Sequence, residues 1–482
     1  METLDTIIAF YGFLKGFAPQ TSTKDREWIQ AEVDPRNNNT ISNEFEAASD
    51  QLSQDIEGFV LKNEEASLAN HIIDVLAWVV GTTLGRWDIR IALDRTLISK
   101  ALGPLSAPTA IPRGMLVSSN GLPATSGNIA SEDWLRAGRD TTGLSRRNDV
   151  KQLKILDSEY PIRISWDGIL VDDAGHPDDI IARIREVLAA IWAEHADDIY
   201  QEAVEVLDGG GHDLRLWFRT NFFEEHIKRY SKSRRKAPIY WCLSTPSRGY
   251  AVWLYYHRFS RDSLYKVLND HVGPKVALEE RRLTAVRAEG GANPTASQRK
   301  AIEAQEQFVA ELQTFRDEIA RIAPLWNPDL NDGVIINYAL LWRLTPWPRS
   351  WQKECKDTWE ALKRGDYDWS HLAMHLWPER VVPKCAQDRS LAIAHDLDKV
   401  FWEVTDDDKA RPRGVAATEL QKLIAERTSP AVKAALVTLQ EAPAESEKPK
   451  KHAADKSAPT GKRGRKSKSD VVQMGMDLGE DE

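Results

Sequence analysis

Six cations fall within nine residues, Lys228, Arg229, Lys232, Arg234, Arg235 and Lys236, with no acid among them. The run leads through Pro238 and Ile239 into Tyr240 and Trp241. Cations neutralise phosphates and neighbouring rings stack on bases or wedge between them, so this pattern points to a nucleic-acid groove. Lys232, Arg234, Arg235 and Lys236 suit phosphates, while Tyr240, Trp241, Arg248 and Arg258 are candidates for the face that reads bases. A solvated loop ahead of a strand has the same composition.

The far end of the chain repeats the signal. Lys448–Lys468 holds nine Lys or Arg against Asp455, a local charge of +8. Within it Arg463-Gly464-Arg465 resembles the core of an AT-hook, where two arginines lie in a narrow minor groove and glycine permits close approach. Lys466 stands where that motif has proline. A generic solubilising tail is the alternative.

Three other constellations are weaker. Pro328-Asp329 with Glu354-Cys355-Lys356 matches the loose pattern of Mg²⁺ nucleases, but that chemistry needs adjoining strands and these residues read as a helix. His371 and His375 with Cys385 have zinc-compatible types, yet Leu372 stands where a metalloprotease helix carries glutamate. Asp208-Gly209-Gly210-Gly211 follows no strand and reads as a linker. No catalytic, cofactor-binding or metal residue is assigned in this chain.

The elements that must position these residues make an α+β fold, mainly helical. Residues 1–65 read as a helical connector. Residues 66–270 read as an α+β region, with one helix through Leu68, Ile72, Val75, Leu76, Val79 and Val80. A second helix opens near Pro177 with Asp178 and Asp179 at its N-terminal dipole, and a third spans Leu214–Tyr230. Strand-like Ile239–Leu243 and Ala251–His257 flank a turn containing Pro246 and Gly249, which gives a β-hairpin with Arg248 at its tip. Leu102–Gly143 is too rich in Pro and Gly for long elements. Residues 271–323 read as an antiparallel helical hairpin spacer. Its second arm, about 40 Å long, is capped by Thr295 and Gln298 and carries a coiled-coil seam of Phe308, Leu312, Phe315, Ile319 and Ile322. Residues 324–440 form a Trp-rich helical region, and residues 441–482 a disordered basic tail.

The 482 residues carry a formal charge of −9, so any nucleic-acid contact must be local rather than a uniform basic coat. The three cysteines are odd in number and far apart, which suits a reducing cytosol rather than a disulfide framework. Glu2 and Asp5 stand where an export signal has basic residues, and Val75–Gly85 is far short of a membrane span, so a cytoplasmic protein without membrane partners is expected. Seventeen tryptophans outnumber 12 Phe and 11 Tyr, and eight lie between Trp326 and Trp402. An aromatic core is expected there.

Several stretches together resemble one family. Leu76-Ala-Trp-Val-Val-Gly-Thr-Thr-Leu-Gly-Arg-Trp-Asp88, Asp167-Gly-Ile-Leu170 with Pro177-Asp-Asp-Ile-Ile-Ala-Arg183, and Arg235-Lys-Ala-Pro-Ile-Tyr-Trp241 with Leu254-Tyr-Tyr-His-Arg258 resemble the C-terminal half of PglX-type adenine methyltransferases. These belong to BREX phage defence and are similar to Type IIG restriction-modification enzymes. Asn331-Asp-Gly-Val334, Tyr367-Asp-Trp369 and Leu376-Trp-Pro-Glu-Arg-Val381 resemble the end of the same proteins. The resemblance implies that this region recognises target sites in double-stranded DNA. It also implies that a separate methyltransferase subunit or domain holds S-adenosylmethionine, with other phage-defence components as further partners. Adenine N6 transfer needs an Asn or Asp-Pro-Pro-aromatic loop, and this chain has no Pro-Pro pair. A detached recognition half is therefore expected. The alternatives are a Mg²⁺ nuclease or cryptic methyltransferase, and an inactive truncated remnant.

Overall fold

The computed structural model describes residues 64–94, 97, 114–136, 154–208, 213–232, 235–404 and 410–441. Arg234, nearly all of the connector, and the tail with Arg463 and Arg465 lie outside the described residues.

The central sheet has three strands, β1 (Ile169–Val171), β2 (Tyr240–Ser244) and β3 (Ala251–Tyr255), antiparallel in the order β1-β3-β2. The expected hairpin is present, with Tyr240 opposite Tyr255 and Ser244 opposite Ala251. The sequence offers no signal for β1. Three residues after Gly168 carry no usable period, and pairing of Ile169 with Leu254 makes them a strand. Every residue of the three strands is buried, because layers cover both faces of the sheet. Residues opposite one another share a face. On one face Trp253 meets Phe222 at 5.2 Å and Tyr240 meets His226 at 4.8 Å. On the other, Trp241 packs on Tyr338 at 4.3 Å and on Phe259 at 4.6 Å.

Helix α1 (Glu64–Thr83) buries Ile72, Val75, Leu76, Val79 and Val80, the stripe its spacing predicts. It ends where Gly81 lets the backbone approach the sheet. A Cβ there would lie 2.6 Å from Trp87 Cδ1 and collide with the Tyr240 hydroxyl. Helix α2 (Ile180–Trp192) starts three residues later than Pro177 suggests, because Asp179 is its N-cap and accepts from Ala182 N. Helix α3 (Ala196–Asp208) packs beside it. The third expected helix is interrupted by a π-helical stretch, Phe218–Phe222, before α4 (Phe223–Arg229). The widened turn sets Phe218 and Phe222 4.6 Å apart, both against Trp253.

Helices α5 (Gly273–Gly290) and α6 (Ala296–Ile322) form the antiparallel hairpin, and the Thr295–Gln298 capping box is present. Arg287 pairs with Glu306 while Gln313 bonds Glu280, which fixes the register. The seam does more than hold two arms together. Leu312, Phe315, Ile319 and Ile322 are buried in the same core as the sheet, whereas residues 296–307 contain no buried position. Only the outer half of α6 is therefore spacer-like. Helix α7 (Arg349–Arg364) turns Trp351, Cys355, Trp359 and Leu362 inward and stops at Gly365, whose φ of +97° suits glycine. The aromatic core expected here is present, and it is continuous with the core of α1 and the sheet. The Pro- and Gly-rich loop region supplies Val117, Ala130, Trp134 and Leu135 to a second small core that also takes Leu97. No described helix is long and apolar enough to cross a membrane.

Candidate nucleic-acid interface

The basic run begins on α4 and continues in a short antiparallel ribbon, Ser231–Lys232 with Arg235–Lys236. Its register sets Lys232 directly opposite Arg235. Arg235 is exposed and has no ion-pair partner among the described residues.

The rest of the run is partly spoken for. Lys228 is exposed but lies 2.9 Å from Glu225 and 3.4 Å from Glu224. Arg229 pairs with Asp74 at 2.5 Å and Glu225 at 3.3 Å, so it ties α4 to α1 instead of facing outward. Lys236 reaches across to α7, with Nζ 2.5 Å from Glu354 and 5.9 Å from the Trp351 ring.

Two reading-face candidates are placed inside the fold and a third is half-buried against it. Tyr240 and Trp241 are 1% and 0% exposed, and the Trp241 indole donates to the Pro238 carbonyl at 2.9 Å. Aromatic residues that lead out of a basic run alternate across a strand, and here both sheet faces are covered, so neither ring reaches a surface. Arg258 donates to the carbonyl of Ala124 at 2.7 Å and lies over Trp166 at 5.1 Å, fastening the loop region to the sheet. Burial lowers its pKa from the ordinary arginine value.

Arg248 is at the hairpin tip as expected. Its amide donates to the Thr245 carbonyl at 2.9 Å across a turn with Pro246 in second place, and its own φ is +61°, a left-handed position. That conformation turns the guanidinium over the ring of Trp347 at 4.4 Å. Arg349 approaches the same ring at 4.9 Å. Trp347 and Arg349 are exposed. An indole 36% exposed and held against two arginines puts an aromatic surface beside phosphate-binding forks. Trp347 is absent from the sequence candidates, although a tryptophan between Pro346 and Pro348, followed by Arg349, is an available signal of a rigid exposed loop.

Helix α7 connects the two groups. Its first turn is beside the hairpin tip, and Glu354 in its second turn is beside Lys236. The candidate band thus comprises Arg248, Trp347 and Arg349 beside the first turn of α7 and Lys236 and Arg235 beside its second. On the outer side of α7 an open groove of about 370 Å³ is lined by Lys353, Glu354, Asp357 and Tyr367. Lys353 and Asp357 are paired there at 2.6 Å.

Two of the weaker constellations are not assembled, and Gly209, Gly210 and Gly211 lie outside the described residues. Glu354 is taken by Lys236, and Asp329 caps the turn Leu330–Asp332. His371 Nδ1 lies 2.9 Å from Asp332, while Cys385 is buried with Sγ 3.4 Å from the Val381 carbonyl. Among the described residues these side chains do not form a metal cluster.

His226 sets where β2 begins. Its Nε2 accepts the amides of both Ile239 and Tyr240 at 3.0 Å, which requires an unprotonated nitrogen. Burial holds its pKa well below the ordinary 6.5, and the nearby Arg86 and Arg229 add to that. Between that depressed value and 6.5 the unfolded chain binds a proton that the folded chain refuses. Stability from His226 is therefore full above pH 6.5 and falls as the pH drops below it, by about 1.4 kcal/mol per pH unit. Urea melts of His226→Gln between pH 5 and 7.5 should show a shallower pH dependence than the unsubstituted protein. Equal slopes would refute this role.

No family model matches the chain. Over 191 residues it is 26% identical to the adenine-specific methyltransferase BrxX of Escherichia coli O9:H4 (strain HS), covering 36% of this chain and 15% of that protein. The chain is similar to adenine-specific methyltransferases. Over 185 residues it is 24% identical to the adenine-specific methyltransferase PglX of Lacticaseibacillus casei (strain Zhang), again covering 36% of this chain and 15% of the relative. The match thus spans less than one fifth of either methyltransferase.

Proposed function

We propose that the chain is the DNA target-recognition part of an adenine N6 methyltransferase system of the restriction or phage-defence type. The observation that carries this reading is the similarity to two adenine-specific methyltransferases. The band of half-buried Arg248 with exposed Trp347, Arg349 and Arg235 supports it with groups of the right chemistry. S-adenosylmethionine and the adenine-binding Pro-Pro loop belong, in this reading, to a partner methyltransferase, since the chain contains no Pro-Pro pair. Duplex DNA contacts the band through phosphates at Arg235, Lys236 and Arg349. Arg248 and Trp347 work at the groove. The net charge of −9 opposes approach everywhere else.

Titration of labelled duplexes at several salt concentrations tests the proposal. Arg235→Ala and Arg349→Ala should each lower the salt slope by roughly one unit and weaken all sequences alike. Trp347→Ala should cost about 1–3 kcal/mol of binding at constant salt, the range of an aromatic stacking contact. Unchanged affinity and slope in all three would reduce the band to solvated surface. Methyl incorporation or cleavage by the isolated chain, given labelled S-adenosylmethionine or Mg²⁺, would favour the enzyme alternative.

A further inference from the structure

We infer that His176, Asp178 and His271, with Asp167 beside them, form a binding site for a divalent ion of the zinc class. His176 and Asp178 lie in the loop between β1 and α2. His271 lies in a π-helical stretch, Val267–Val272, that leads into α5, and Asp167 is in the turn before β1. One ligand atom from each of His176, Asp178 and His271 falls within 4.8 Å of the other two. His271 Nε2 is 4.0 Å from Asp167 Oδ2, and His176 Nδ1 is 4.0 Å from Asp178 Oδ2. Ligands at zinc distances stand roughly 3.4 Å apart around a tetrahedral ion, so closing the set takes side-chain shifts of about 1 Å.

A second observation points the same way. The His271 side chain is 3% exposed, and neither ring nitrogen has a hydrogen-bond partner among the described residues. Buried imidazoles are nearly always satisfied by protein or water, and an unsatisfied one aimed at two carboxylates calls for a cation. The carboxylates are already oriented for it. Asp178 Oδ1 accepts from Arg163 at 2.7 Å and Ser165 at 3.0 Å, which leaves Oδ2 toward the histidines. Asp167 Oδ1 accepts from the Ile169 amide at 3.1 Å, which leaves its Oδ2 toward His271. These partners act as the outer shell that fixes metal ligands in place. Two imidazoles with carboxylates select zinc and its neighbours over Mg²⁺ or Ca²⁺, which take oxygen donors. One contact must change. His176 Nδ1 accepts the Asp178 amide at 3.0 Å, so the ring has to turn over or release that bond to present a lone pair.

An ion here would fasten the loop between β1 and α2 to the first turns of the helical hairpin, joining elements about a hundred residues apart. It would serve as a structural clamp at the base of α5, whatever the surface band binds. The test uses the full chain, free of affinity tags and stripped with chelator. Titration calorimetry should show one Zn²⁺ bound per chain, with a rise in melting temperature. Co²⁺ in its place should give visible ligand-field bands with no thiolate charge-transfer band. His176→Ala carries the decision because the residue is half-buried and its loss should leave the metal-free fold at its original melting temperature. It should weaken Zn²⁺ by more than the roughly 10- to 100-fold that outer-shell changes cause. His271→Ala should do the same if it folds. Failure of the unsubstituted chain to take up one equivalent, a thiolate band with Co²⁺, or unaltered affinity in a folded His176→Ala would each overturn the site.

Discussion

Trp241→Ala will destabilise the protein by about 3–5 kcal/mol, the cost of emptying a fully buried large aromatic site. The indole is 0% exposed and lies between Tyr338 at 4.3 Å, Phe259 at 4.6 Å and Tyr256 at 5.3 Å. Truncation removes all three contacts and leaves the Pro238 carbonyl without the indole proton it accepts at 2.9 Å. The cavity cannot collapse easily, because β2 is held on its other face by Tyr240 against His226. Urea denaturation followed by tryptophan fluorescence and by circular dichroism measures the loss. Trp347→Ala is the comparison, since that ring is 36% exposed and its removal should cost well below the Trp241 loss. If Trp241→Ala kept its stability and lost only DNA binding, the residue would belong to the reading face after all.

Asp179→Ala should be nearly as costly, for electrostatic reasons. Its carboxylate caps α2 through the Ala182 amide at 3.2 Å, accepts the Asp173 amide at 3.1 Å, and takes both terminal nitrogens of Arg215 at 2.7 Å. Arg215 also pairs with Asp172 at 2.5 Å, and Arg219 closes the cluster on the other Asp172 oxygen. Loss of an N-cap costs about 1 kcal/mol, and breaking a buried pair that strands its partner costs about 3–5 kcal/mol. Asp172 remains to hold Arg215, so the sum should fall near the lower end, about 3 kcal/mol. Asp179→Asn separates the two effects. It retains a capping oxygen but not the charge, and should recover about 1 kcal/mol relative to alanine. Equal stability of the alanine variant and the original would show that the cluster contributes nothing to the fold.

Period and capping chemistry were legible without coordinates. Hydrophobic residues at helical spacing located α1, α2 and the second arm of the hairpin. Thr295 and Gln298 marked the start of α6 to the residue, because a capping box is a contact between neighbours in sequence. The β2–β3 hairpin was equally local, with Pro246 and Gly249 between two β-rich runs. The motifs that resemble PglX-type proteins led to the same adenine-specific methyltransferases that the chain matches over 36% of its length. The basic run was visible as composition.

What the run's members touch was not. Arg229 meets Asp74 across 155 positions and Lys236 meets Glu354 across 118, and no local rule foretells which acid a cation will find. β1 needed β3 to become a strand. The surface or core fate of an aromatic residue depends on whether a second layer covers the sheet, so Tyr240 and Trp241 went inward while Trp347, held between two prolines, stayed out. His271 and His176 are 95 positions apart, and only the packing of α5 against the loop after β1 brings them within ligand distance. Local sequence decides which elements form, because their bonds close within a few residues. The surfaces and sites are decided by contacts between residues far apart in the chain, where the partner is selected by packing and carries no mark in either segment.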